Sequence, residues 1–73
     1  MIDSFQTNTK VQWQWGQGHA SAKVREVFRE SVTRKLQGSE VTRNGSAGNP
    51  AYLLEQDDGD HVLKLHSELE RAN

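Results

Sequence analysis

At 73 residues, 33% of them apolar, the chain supports one small domain with a lean core. It has no cysteine, which excludes disulfide staples and thiolate metal sites, and its net charge of −1 excludes a strongly basic or acidic module. No apolar run approaches the roughly 18 residues of a membrane helix, and Met1–Lys10 has neither the basic nor the apolar region of a secretory leader. A cytoplasmic protein without a membrane partner is the expectation.

The charges are unevenly placed. Lys10–Arg43 has seven basic residues against three acidic ones, net +4, and Asn44–Asn73 has two against six, net −4. Charges meeting across a folded surface account for this, and so does a polar binding face.

In chain order, residues 1–9 are polar and aperiodic, which predicts a disordered tail with Phe5 as its one candidate for docking. Lys10–Trp15 alternates: Val11, Trp13 and Trp15 fall on one face, Gln12 and Gln14 on the other, the pattern of a half-buried strand. Gly16-Gln17-Gly18 breaks it with a turn.

Ala20–Leu36 carries two patterns. Val24, Val27, Phe28, Val32 and Leu36 fit an amphipathic helix, with Ser21 able to cap its start and Gly38 its end. The same residues fit strands: Ala20, Ala22 and Val24 on one face, a bulge near Arg25–Glu26, a turn at Glu30–Ser31 and a return through Val32–Leu36. Periodicity leaves both open.

Val41-Thr42-Arg43 continues or joins a strand, and Asn44–Asn49 is a loop rich in Gly and Asn. Pro50 stands where a strand can begin without its N–H. Ala51–Gln56 and His61–His66 flank Asp57-Asp58-Gly59-Asp60, a strong hairpin signal because Gly takes a positive φ freely. Ser67-Glu68-Leu69 fits one helical turn, with Leu69 closing an open end of the core.

Three blocks then stand together. KVQWQWGQGHASAKV, the stretch Thr42-Arg43-Asn44-Gly45 to Asn49-Pro50-Ala51-Tyr52, and Val62-Leu63-Lys64-Leu65-His66-Ser67-Glu68-Leu69 resemble the hypervirulence-associated Tudor-domain family, small bacterial and fungal domains of unknown function. The resemblance runs from about Lys10 to Glu70. It implies an all-β fold, a small five-stranded SH3/Tudor-like antiparallel barrel over residues 10–70 with a short C-terminal helical turn. It therefore implies a β-hairpin rather than a helix in Ala20–Arg43. It brings no catalytic residues and no cofactor, and the Tudor label describes a fold rather than a ligand.

The candidate chemistry is sparse. Trp13, Trp15, Phe28 and Tyr52 serve either a core or an aromatic cage, whose rings attract a methylated ammonium by about 0.5–2 kcal/mol each. Trp15, at a strand end beside Gly16, is the ring expected at the surface. Arg25, Arg29, Arg34 and Arg43 offer phosphate contacts, although a pI near 6.3 is low for a domain that binds by charge, and in a strand Arg34 and Lys35 point to opposite faces.

Metal sites fare worse. His61 and His66 fall on opposite strand faces. Aligning Gly59 to a calcium loop puts Leu54 and Leu65, which lack side-chain oxygen, at its ends. No nucleophile–base pair or phosphate-cradling glycine loop points to an enzyme.

The expectation is a non-enzymatic binding module for a protein, peptide or modified side chain, using Trp13, Trp15, Tyr52, Arg43 and Asn44. The alternative is a nucleic-acid-binding barrel using Arg25, Arg29, Arg34 and Arg43. Either would be a monomer or a weak homodimer through its sheet edges.

Overall fold

A computed structural model of the chain describes residues 4–72. Strand β1 (Lys10–Trp15) turns at Gly16, which has φ +58°, and pairs with β2 (Gly18–Phe28) from Lys10↔Lys23 to Trp15↔Gly18. The alternation of β1 is realised: Val11 and Trp13 are buried, and Trp15 extends past the core at the strand's end.

Strand β2 is where helix and strand patterns competed, and it is a strand throughout. Its pairing with β5 (Ala51–Glu55) slips by one residue between Val24↔Leu54 and Glu26↔Leu53, leaving Arg25 as the extra residue of a bulge. The slip reverses which parity faces inward. Ala22 and Val24 enter the first core cluster before it and Val27 packs on that cluster after it, while Phe28 turns to the second cluster. An unbulged strand would have put Glu26 among the apolar side chains.

One expected pairing is absent. β3 (Ser31–Leu36) does not return along β2 but pairs with β4 (Ser39–Asn44) as a separate two-stranded sheet. The turn between them, Gln37 at φ +47° and Gly38 at φ +82°, has the two positive φ values of a tight hairpin whose twist matches its strands. Two residues, Arg29 and Glu30, separate β2 from β3, so a β2–β3 hairpin was sterically available. The half of β2 nearest β3, Lys23–Phe28, takes β5 as its partner, while β1 pairs with the first half, Gly18–Lys23.

The β5–β6 hairpin forms as its sequence predicts, with β6 at His61–Leu65, Gly59 at φ +91°, and Asp58 Oδ1 accepting the Asp60 N–H at 2.9 Å. β5 is covered on both faces, which explains its nearly unbroken apolar run. Tyr52 and Leu54 join Val11, Trp13, Ala22 and Val24, whereas Ala51 joins Val32 and Leu63 beneath the β3–β4 hairpin. Burying a side chain such as Leu54 contributes about 1.5–3 kcal/mol.

The 3₁₀ turn His66–Glu68 follows, Leu69 packs on the first cluster, and β7 (Glu70–Arg71) adds to β1. The register shows how bent the main sheet, ordered β6-β5-β2-β1-β7, must be. Leu65 lies opposite Ala51 and hence level with Phe28, whereas Glu70 lies opposite Gln12 and hence level with Ser21. In a flat sheet those two residues would be about 30 Å apart. Five residues span only about 17 Å fully extended. The sheet therefore curls sharply, and the Arg25 bulge lies between the two levels. β6 and β7 are the two ends of the strand order, so the small antiparallel barrel expected takes the form of a curled, unclosed five-stranded sheet with a two-stranded hairpin packed on it. The small all-β architecture is consistent with an SH3/Tudor-like fold.

Part of the stretch read as a tail, residues 1–3, lies outside the described residues. Phe5 does dock, packing on the first cluster, and the Asn8 N–H donates to the Val24 carbonyl at 2.7 Å.

Candidate functional site

The five residues expected at a binding surface separate into three places. Tyr52 is removed from the surface: it is 0% exposed, and both hydrogen-bonding positions of its hydroxyl are used internally. The Phe5 N–H donates to its oxygen at 3.0 Å, and His66 Nδ1 lies 2.8 Å away, placed to accept the phenolic proton. The Phe5 ring stacks on His66 at 4.7 Å between centroids. Burial pushes the Tyr52 hydroxyl pKa up, opposed in part by the Phe5 N–H and the Arg29 charge. Tyr52 is a core residue that pins the N-terminal segment, because its side of β5 faces the first cluster.

Arg43 and Asn44 sit on β4 and are engaged structurally. Arg43 Nε lies 3.5 Å from Glu68 Oε1, and that same oxygen accepts the Leu65 N–H at 2.8 Å, tying β4 to the 3₁₀ turn. Asn44 Oδ1 accepts from the Ser31 hydroxyl at 3.0 Å. It belongs to a polar ladder on the outer hairpin face that includes the 2.7 Å Thr33–Thr42 hydroxyl pair.

Trp13 and Trp15 remain together. They line a concavity of about 350 Å³ with Ala20, Gln56, Val62 and Lys64. Trp15 is 73% exposed, an unusual cost for the largest apolar side chain. Trp13 is nearly buried, and Lys64 Nζ sits 5.7 Å from its ring centroid, a cation–π contact. Sequence reasoning missed Lys64 and Val62. Their signal was the strand period, which sets positions 62 and 64 on one face of β6; nothing local showed that this face would meet Trp13.

The arginines of the nucleic-acid alternative are dispersed and each has an internal contact. Arg25 pairs with Glu55 at 3.1 Å, and Arg29 donates to the Ser4 hydroxyl at 2.9 Å. Arg34 lies over the Phe28 ring at 5.0 Å, and Arg43 is held by Glu68. Arg34 and Lys35 do face opposite ways: Lys35 stands opposite Glu40 on the outer face and Arg34 opposite Val41 on the inner one. Among the described residues no three His, Asp or Glu side chains gather as a metal site would require, and no helix is long and apolar enough to cross a membrane.

No curated protein and no solved structure matches the chain. The family described as "Hypervirulence associated proteins TUDOR domain" matches residues 9–69, from just before β1 to the residue that closes the first cluster, and the chain belongs to that family.

Proposed function

We propose that this domain is a non-catalytic binding module that recognises a protein or peptide segment at the concavity lined by Trp13 and Trp15. The observation that carries the reading is the exposure of Trp15 beside a largely apolar recess, while the other large apolar side chains among the described residues are at least partly covered. Rigid, exposed tryptophan is a frequent anchor of interfaces because it buries much area at little entropic cost. Tudor-type domains are generally binding modules, which supports the same reading. A methylated-ammonium cage is less favoured. Tyr52 supplies no wall, and the Trp13 face already holds the Lys64 cation.

The test is selection of a displayed library of extended peptides on the domain, with each enriched sequence re-measured on Trp15→Ala. Trp15 is exposed enough for that variant to fold normally. Enriched peptides that lose at least tenfold in affinity on Trp15→Ala support the reading. No enrichment, or peptides indifferent to Trp15, overturns it. Mixed-sequence DNA and RNA duplexes, titrated at low and moderate salt, are the parallel sample. Salt-sensitive shifts on Arg25, Arg29, Arg34 and Arg43 would put nucleic acid in the peptide's place.

A further inference from the structure

The recess beside Trp15 continues into a second one. A concavity of about 190 Å³ is lined by Leu36, Val41, Arg43 and His61, and it shares Val62 and Lys64 with the first. Strand β6 is thus a ridge between two adjoining hollows, and a single extended segment crossing it contacts both.

The charge of these linings is one-sided. None of the acidic side chains among the described residues lines either hollow; the charged side chains there are Lys64 and Arg43, with His61 beside them. The two cations differ in state. Arg43 is already neutralised by Glu68 at 3.5 Å. Lys64 is not: among the described residues it makes no ion pair, and its ammonium rests on the Trp13 face within an apolar recess. A cation without an anion at the edge of an apolar recess attracts a carboxylate more strongly than one in open water, because the lower local dielectric weakens screening. A run of acids, Asp57, Asp58 and Asp60, is at the β5–β6 turn, where β6 begins, three residues before Lys64 and on the order of 10 Å along the strand. The ridge therefore has a polarity, repelling anions at the turn and attracting them at Lys64.

Resting on the peptide-binding reading above, we infer that the ligand is an acidic linear segment of another protein. It seats a large apolar side chain between Trp13 and Trp15 and brings a neighbouring carboxylate to Lys64. The area is modest and one charge pair sets the discrimination, so the fit is that of a transient partner.

The probes are three blocked heptapeptides with a central Phe, flanked on both sides by Glu, by Gln or by Lys. Binding is read from the Trp13 and Trp15 indole N–H signals in ¹⁵N-HSQC spectra and from tryptophan fluorescence. The Glu peptide is expected to bind about 3–5-fold more tightly than the Gln peptide, with the Lys peptide weakest, the upper range of one partly exposed ion pair. The preference should shrink as salt rises.

Lys64→Met keeps the unbranched stem on Trp13 and should reduce the Glu-over-Gln preference to less than twofold. Lys64→Glu should reverse the order of the Glu and Lys peptides, and unchanged amide dispersion confirms that both variants fold. Equal binding of Glu and Gln peptides, or an order indifferent to Lys64→Glu, overturns the acidic-segment inference. If those same peptides still depend on Trp15, the binding reading itself stands. Silence of both indole signals up to millimolar peptide overturns both.

Discussion

Gly45, the first residue after β4, where the chain crosses toward β5, has no space for a side chain. A Cβ there would stand 2.7 Å from the Phe28 carbonyl oxygen and 2.9 Å from both the Glu30 carbonyl oxygen and the Ala51 nitrogen. All three are backbone atoms, from the end of β2, the β2–β3 connection and the start of β5, so no side-chain rotation relieves the overlap. Overpacking costs about 1–3 kcal/mol where side chains can yield, and a backbone clash belongs at the upper end. The reduced freedom of the unfolded alanine chain returns about 0.4–1 kcal/mol.

A net loss of about 2–3 kcal/mol for Gly45→Ala is expected, against a total of about 4–11 kcal/mol for a domain of this size. That corresponds to a fall of about 10–20 °C in Tm. The assay is urea unfolding followed by tryptophan fluorescence and circular dichroism, with Gly48→Ala as the matched control. Gly48 is in the same loop, has nothing within 4 Å of its Cβ position, and should change stability by less than about 0.5 kcal/mol. A Gly45→Ala protein within 0.5 kcal/mol of the parent, or a control equally damaged, would refute the crowding argument.

Two further perturbations probe the turn and the N-terminal clasp. Gln37→Asn should stabilise the domain by about 0.5 kcal/mol in the same assay, because Gln37 holds φ +47° in a turn that favours Asn-Gly. Tyr52→Phe should cost about 1–2 kcal/mol and shift the Phe5 amide resonance, since it leaves the Phe5 N–H and His66 Nδ1 without their shared partner. The Tyr52 hydroxyl pKa is raised on folding, so its contribution is complete below the unfolded value near 10 and is lost as pH rises through the folded value. Urea midpoints measured from pH 8 to 11 should therefore fall above pH 10 more steeply for the parent than for Tyr52→Phe.

Much of the local structure was legible in the residues. The alternation of Val11 and Trp13, the Asp-Gly turn, the bulge at Arg25 and the closing role of Leu69 depend on interactions within a few positions, and all are present. The strand in β2 was not decided by its own residues, whose spacing serves a helix equally well. It is a strand because β1 pairs with its first half and β5 with its second, non-local partners that the family resemblance implied and its own residues did not.

The candidate site divides along the same line. That Trp15 would reach the surface followed from its place at the end of β1 beside a turn glycine. That Tyr52 would be buried did not: its fate depends on β5 being covered on both faces, by the curled sheet on one and the β3–β4 hairpin on the other. Lys64 meets Trp13 only because the sheet bends so far that a 3₁₀ turn can carry the chain from β6 to β7. By itself the sequence determined the strands outside Ala20–Leu36, their turns and the one exposed ring, since those follow from backbone sterics and from which side chains water tolerates. The tertiary structure decided which strands pair, which aromatic ring is core and which cation faces the recess. Curvature and strand pairing are properties of the whole sheet, and no short window of residues encodes them.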